Sequence, residues 1–282
     1  MKNILVTGAN GQLGNEMRVL SAEYKEYTCF FTDVAELDIC DEQAVMTFVK
    51  ENNIHVIVNC AAYTAVDKAE DDIELCTKLN KNAVSYLAKA AEATGVSLFR
   101  YQRIMCSMAR NIFLIMRGMF LVPILFTARP SWPVKRMHWS IAKKTMIIRT
   151  AWLYSTFGNN FVKTMLRLGK EKETLGVVFD QIGTPTYARD LARAIFTAIY
   201  KGVVPGVYHF SDEGVCSWYD FTKLSIVLPV SRPVRSVPCI QMNIRQRLPV
   251  PIIPYWTRPR LKLLITLRFL IGKRVWKHVS KN

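Results

Sequence analysis

Asn3-Ile4-Leu5-Val6-Thr7-Gly8-Ala9-Asn10-Gly11-Gln12-Leu13-Gly14 opens the chain and decides its fold. A short apolar run leads into three glycines spaced three apart, and apolar residues then recur at helical spacing through Met17, Leu20 and Ala22. That order reads as buried strand, tight turn, helix. Gly8 makes the turn, Gly11 lets backbone approach a pyrophosphate, and Gly14 lets helix and strand pack closely. The positive end of the helix then faces the phosphates. A second strand, Tyr27 to Thr32, ends at Asp33, about 20 residues beyond the last glycine. A carboxylate there suits the 2′-hydroxyl of an adenosine ribose and repels a 2′-phosphate, which favours NADH over NADPH.

Working outward, the alternation continues. Asp41 is placed to cap a helix carrying Val45, Phe48 and Val49, and His55 to Cys60 reads as a third strand. Ile73 to Ala93 has the period of one long helix closed by Gly95, and Val96-Ser97-Leu98 begins a fourth strand. At Phe99 the period stops, and it resumes only with the strand Met146 to Trp152. Helices over Asn159–Leu168 and Ala188–Tyr200, strands near Val177 and over Gly206–Phe210, and a helix starting at Ser217 follow. From Leu224 onward, runs broken by proline show no period. The pattern predicts an α/β fold, a Rossmann-type doubly wound parallel sheet with a smaller C-terminal substrate domain. Residues 1–150 make the nucleotide-binding domain. Residues 151–282 make mainly the substrate domain, with 178–200 returning to the first.

The net charge of +16 points at first to nucleic acid or a membrane surface. Its distribution argues otherwise. Residues 99–142 carry seven Lys/Arg and residues 224–282 carry twelve, with no Asp or Glu in either. The whole chain has 38 basic and 22 acidic residues, so outside these two segments it is slightly acidic. Arginines scattered among apolar residues do not make a nucleic-acid arm, so neither nucleic acid nor membrane is an expected partner. Seven cysteines without CxxC spacing, no signal-like start and no long uncharged apolar run fit a cytoplasmic protein with free thiols and no metal site.

Several further strings resemble the dTDP-4-dehydrorhamnose reductases, a branch of the extended short-chain dehydrogenases. They are Asn59-Cys60-Ala61-Ala62-Tyr63-Thr64-Ala65-Val66-Asp67, Arg149-Thr150-Ala151-Trp152-Leu153-Tyr154 with Gly158-Asn159-Asn160-Phe161-Val162, and Asp180-Gln181-Ile182-Gly183-Thr184-Pro185-Thr186 with Asp190-Leu191. Gly206-Val207-Tyr208-His209 and Ser217-Trp218-Tyr219-Asp220-Phe221 extend the match, which spans residues 1–98 and 143–223. The resemblance implies NADPH- or NADH-dependent reduction of the C4 ketone of dTDP-4-dehydro-L-rhamnose to dTDP-L-rhamnose, a precursor of cell-surface polysaccharide. It implies that Gly8, Gly11, Gln12, Leu13, Gly14, Asp33, Asp38, Ala61, Ala62, Tyr63 and Asn80 line the cofactor. Val66, Trp152, Asn160 and Phe161 would line the dTDP-sugar. A homodimer and a Mg2+ ion are compatible with the resemblance, but no residue pattern speaks for either.

The family's acid is missing. A Tyr-x-x-x-Lys pair protonates the alkoxide in such reductases, the lysine lowering the phenol's pKa, and a Ser/Thr in V-S-T-D-Y-V-F-D-G holds the ketone oxygen. Neither string occurs, so no catalytic residue is expected in this chain. Yet GTATCAACGGATTATGTGTTCGATGGC encodes that second string, and read one base later it gives Tyr101-Gln102-Arg103-Ile104-Met105-Cys106-Ser107-Met108. TTTACGGCCAGACCAAGC encodes Phe126-Thr127-Ala128-Arg129-Pro130-Ser131, and read two bases later it gives Y-G-Q-T-K. Both imply the same offset. With codons chosen within degeneracy, Leu224–Val227 and Pro251–Tyr255 recode to family strings at that offset too. Segments 99–142 and 224–282 therefore read as frame-shifted, and the chain as written is expected to be impaired. Tyr219-Asp220-Phe221-Thr222-Lys223 has the right spacing in the wrong place and reads as packing. The alternatives are a catalytically dead cofactor-binding remnant, or a nucleotide-sugar epimerase or dehydratase.

Overall fold

The computed structural model describes residues 1–63, 72–103, 142–227 and 235–239. The chain divides into two compact units, and Ala188–Phe210 returns to the N-terminal one after Ala151–Tyr187 has entered the second.

In the first unit, β1 (Lys2–Thr7), β2 (Tyr27–Thr32), β3 (Ile54–Asn59), β4 (Ser97–Arg103), β5 (Thr145–Thr150) and β10 (Gly206–His209) pair in the order β10-β5-β4-β3-β1-β2. Every one of these pairings is parallel. Strands buried on both faces need continuous apolar runs, and Ile4-Leu5-Val6 and Val56-Ile57-Val58 supply them. On one face Leu5, Ile57 and Leu98 pack with Val45, Val49, Leu87 and Ala91. These last four come from α2 (Glu42–Glu51) and α4 (Ala83–Thr94), which pack together. Elsewhere in the unit, α1 (Gln12–Ser21) packs on α6 (Ala188–Lys201). The chain runs from β1 outward to β2, then crosses back past β1 to β3. The strand order therefore reverses between β1 and β3, where doubly wound sheets bind ligands beyond the carboxyl ends of their strands.

Asp41 caps α2 as its position demands, its carboxylate accepting the Gln43 and Ala44 amides at 2.9 Å. Gly95 ends α4 in the left-handed conformation, φ +70°, which costs a glycine nothing. The span read as one helix over Ile73–Ala93 is instead α3 (Ile73–Thr77), a π-helical turn over Lys78–Asn82, and α4.

Three other expectations are corrected. β4 does not stop near Phe99 but runs to Arg103, pairing with β3 as far as Arg100 and with β5 through Arg103. Beyond Arg100 the backbone ladder to β5 alone carries the strand on, so unsuited side chains do not end it. The segment returning to the first unit is Ala188–Phe210 rather than 178–200. The physical reason is pairing: β7 (Thr174–Val178) pairs with β12 (Arg235–Cys239), whereas β10 pairs with β5. Order also persists past Leu224, because α7 (Trp218–Val227) continues and β12 forms. Among the described residues β12 pairs with β7 alone, the edge position at which a proline such as Pro238 is tolerated.

The second unit also contains β6 (Leu153–Tyr154) paired with β9 (Thr186–Tyr187), β8 (Ile182–Gly183) paired with β11 (Cys216–Ser217), and α5 (Phe161–Glu171). Its core gathers Tyr154, Val162, Tyr187, Cys216 and Phe221. Among the described residues no helix is long and apolar enough to cross a membrane.

Candidate functional site

The carboxyl ends of β1 and β3 are drawn together by Asn59, which is 2 % exposed. Its side-chain oxygen accepts the Thr7 hydroxyl at 2.9 Å and the Ala61 amide at 3.0 Å, while Cys60 N–H donates to the Thr7 carbonyl at 3.1 Å. The two loops beyond the strands consequently touch. Gly8 sits at φ +63°, and a Cβ there would lie 2.6 Å from Ala61 N and 2.7 Å from Ala61 Cα. A Cβ on Gly14 would lie 2.5 Å from Ala9 Cα. Both positions are closed to side chains for reasons of backbone packing, as the glycine spacing implied. Asn59 belongs to a quoted string yet was not expected as a site residue. Its signal is a polar side chain closing an otherwise apolar strand.

Helix α1 begins at Gly11 with no side-chain cap and no acid in its first turn. Three other helices are treated differently: Asp41, Asp72 and Asn160 each cap their own. The amide-bearing end of α1 thus points from the glycine turn with its dipole unopposed by an acid, the arrangement that suits a phosphate. Leu13 anchors the turn from within the core, and Gln12 is the first helical residue. One turn further on, Glu16 is fully buried and takes Arg189 of α6 at 2.8 Å, which holds α1 in place.

Asp33 lies at the end of β2 against this turn. Its Oδ2 accepts the Asn10 amide at 3.0 Å and its Oδ1 the Val34 amide at 2.9 Å. A carboxylate can accept about four hydrogen bonds, so a ribose hydroxyl can still be added. Asp38 is exposed, and its carboxylate accepts the Cys40 amide at 2.8 Å in the turn before α2.

Asn80 occupies the π-helical turn and does its work on protein. Its Oδ1 accepts the Tyr63 amide at 3.0 Å, and its Nδ2 donates to the Tyr63 carbonyl at 3.3 Å. The extra residue in the helix aims this amide at the Ala61-Ala62-Tyr63 loop, as π-bulges at working sites commonly do. The contacts of Asn80 make it the clamp of that loop. Arg100 intrudes beside it. Its guanidinium donates to the Asn80 carbonyl at 3.3 Å, and burial pulls its pKa down from 12.5 to about 10. Cys60, in the same loop, is driven up to about 12 by burial and stays a protonated, inert thiol.

In the second unit Trp152 and Trp218 stack with ring centroids 3.5 Å apart, and Trp218 also meets Phe161 at 4.3 Å. Trp152 takes φ +49°, an uncommon conformation for a bulky residue. Its ring covers Gly183 so closely that a Cβ there would lie 2.5 Å from Cε2. Trp218 Nε1–H donates to Gln181 Oε1 at 3.1 Å. Asn160 spends its side chain on the fold, accepting the Lys163 amide at 3.1 Å and donating to the Ser155 carbonyl at 2.7 Å. Tyr219 donates its hydroxyl to the Ser236 carbonyl at 3.3 Å, a packing role. Val66 lies outside the described residues, as do 104–141, where the displaced catalytic strings were read. No group of three or more His, Cys, Asp or Glu among the described residues could hold a metal ion, so nothing there carries the Mg2+ expectation. A cavity of about 570 Å³ between Cys40 and Tyr86 shares no residue with the glycine turn.

The sequence profile of the family described as RmlD substrate binding domain matches residues 1–102 and 135–247. The chain belongs to the RmlD family. Relatives in this family include the dTDP-4-dehydrorhamnose reductase of Aggregatibacter actinomycetemcomitans, 35% identical over 226 residues, covering 78% of this chain and 77% of that protein. The dTDP-4-dehydrorhamnose reductase of Escherichia coli K12 is 35% identical over 230 residues, covering 79% and 76%. Among solved structures, the dTDP-4-dehydrorhamnose reductase of Bacillus anthracis in complex with NADP superimposes with a TM-score of 0.76 at 32% identity, covering 90% of this chain and 88% of that one. The RmlD profile passes over residues 103–134, inside the segment read as frame-shifted. It does match 99–102, 135–142 and 224–247, so the departure from the RmlD pattern is narrower than composition alone indicates.

Proposed function

We propose that this chain is by descent an NAD(P)H-dependent dTDP-4-dehydrorhamnose reductase that still binds its dinucleotide but has lost its acid. One observation carries the binding half: Gly8 and Ala61 meet backbone to backbone at the switch point of the sheet, beside the uncapped start of α1. A Cβ on Gly8 would break that contact, whereas a Cβ on Gly11 would meet nothing within 4 Å but the Gly8 carbonyl at 3.2 Å, which leaves that face of the turn open to a pyrophosphate. The nicotinamide, when bound, supplies the hydride. Gly8, Gly11, Gln12, Leu13 and Gly14 hold the phosphates, Asp33 the adenosine ribose, and Ala61, Ala62 and Tyr63 the wall that Asn80 clamps. Asp38 borders the adenosine end. Trp152 and Phe161 are the sugar-facing residues of the second unit, Asn160 caps the helix that Phe161 begins, and Val66 is assigned to the sugar on the family resemblance alone. Asp33 favours NADH. The free thiols Cys29, Cys40, Cys60, Cys76 and Cys216 fit work in the cytoplasm.

The chemical half fails for want of a proton donor. No Tyr-x-x-x-Lys stands between β4 and β5, and the pair lies one frame away across Phe126–Ser131. Loss of a general acid costs roughly 100- to 10,000-fold in rate. Equilibrium titration of the purified chain with NADH, and separately with dTDP, tests the binding half. Saturable binding of both is expected. No binding of NADH overturns the proposal.

A further inference from the structure

We infer that Trp218 is a positioning residue for the sugar, which together with Gly183 clamps Trp152 so that this indole meets the sugar along its N–H edge. The inference rests on the reading of Trp152 as sugar-facing and deepens it. An indole has two faces, and both are covered here. The Trp218 ring lies on one, with centroids 3.5 Å apart and planes 13° from parallel. That spacing is van der Waals contact, so no backbone fits on the same side. A Cβ on Gly183 would lie 2.5 Å from Cε2, 2.7 Å from Cζ2 and 2.9 Å from Nε1 of Trp152, which puts the Gly183 backbone on the opposite face. Trp152 is half-buried, and its Nε1–H donates to no protein atom among the described residues.

Both jaws of the clamp belong to one ribbon. β8 and β11 pair antiparallel, Gly183 opposite Cys216 and Ile182 opposite Ser217, and Trp218 follows at once. Ser217 and Asp220 then cap α7 reciprocally. The Asp220 carboxylate accepts the Ser217 amide at 3.2 Å, and Ser217 Oγ accepts the Asp220 amide at 3.0 Å. Trp218 is thereby fixed at the first position of α7, and its Nε1–H donates to Gln181, the residue before β8. The backbone of Trp152 is held too: its carbonyl accepts the Thr186 amide at 3.2 Å, and its φ is +49°. A bulky residue kept in that sparsely populated region is set there by its surroundings, as binding sites often require. A sugar ring stacks by laying its C–H face on an aromatic face, and Trp152 has none to offer. What it offers is a donor, suited to a hydroxyl, ketone or ring oxygen of the sugar.

The alternative is that Trp152 and Trp218 only pack against the core of the second unit. Trp152→Phe separates the two, because phenylalanine keeps an aromatic ring between Gly183 and Trp218 but has no N–H. dTDP-L-rhamnose and dTDP are titrated calorimetrically against the parent chain, Trp152→Phe, Trp218→Leu and Trp218→Phe, with thermal unfolding as control. The parent is expected to bind dTDP-L-rhamnose more tightly than dTDP. Trp152→Phe should weaken dTDP-L-rhamnose about five-fold, the scale of one hydrogen bond, and leave dTDP unchanged. Trp218→Leu, which releases the Trp152 ring, should do the same, whereas Trp218→Phe, which keeps a stacked ring, should keep the parent's preference. An unchanged preference in Trp152→Phe, or equal loss of both ligands in Trp218→Leu, overturns the inference. If Trp218→Leu does not fold, Trp152→Phe and Trp218→Phe decide alone. A parent that binds both ligands equally, or neither, refutes the sugar-facing reading itself, and the inference with it.

Discussion

Replacing Arg100 with Val should stabilise the protein although it removes a hydrogen bond. Arg100 stands in β4, between β3 and β5, with its guanidinium drawn out of water. The folded chain holds it at a pKa of about 10, against 12.5 in the open. Each factor of ten in proton affinity is about 1.4 kcal/mol, so desolvation costs about 3 kcal/mol at neutral pH. Losing the 3.3 Å bond to the Asn80 carbonyl returns about 0.5–1 kcal/mol of that. The net gain is about 2 kcal/mol. For a chain of this size, that raises Tm by roughly 4–8 °C. Val suits an interior strand, and the neighbouring ladders are unaffected. The pH dependence has a definite sign. Between about pH 10 and 12.5 the unfolded chain keeps a proton that the folded chain has released, so parent stability rises with pH in that window. The advantage of Arg100→Val is therefore complete below pH 10 and shrinks above it. Calorimetry of both proteins at pH 8 and at pH 10.5 measures this. An equal or lower Tm for Arg100→Val at pH 8 would refute the argument that Arg100 is a misplaced buried cation.

Two further substitutions probe the two units separately. Gly8→Ala forces a side chain into the left-handed region and against the Ala61 backbone, so it should cost roughly 2–4 kcal/mol of stability and weaken NADH binding more than ten-fold, read by chemical denaturation and titration. Gly183→Ala pushes a methyl group into the Trp152 ring, so it should unstack Trp152 from Trp218, shift the tryptophan emission and weaken dTDP-sugar binding, while NADH affinity stays as in the parent.

The nucleotide-binding half was legible because its signals are local. Strand, glycine spacing and terminal carboxylate all follow one another within the first 33 residues, and Asp41 and Gly95 mark helix ends by their own chemistry. The role of Asn80 was not legible, since the π-helical turn that aims it at Tyr63 leaves no mark on the helical period of Ile73–Ala93. Asn160 was expected at the sugar, and the string gave no sign of its second duty, the capping of α5 through the Lys163 amide and the Ser155 carbonyl. The persistence of β4 past Phe99 escaped side-chain periodicity because backbone pairing with β5 decides it. Likewise, the return of Ala188–Phe210 depends on β10 finding β5, a long-range pairing that no local pattern encodes.

NADH oxidation with dTDP-4-dehydro-L-rhamnose tests the central claim most directly, run on this chain beside a version in which the shifted frame restores V-S-T-D-Y-V-F-D-G and Y-G-Q-T-K. The restored protein is expected to turn over at least about 100-fold faster, with both proteins binding NADH. Equal rates would contradict the account, because the acid would then reside in residues this chain already has.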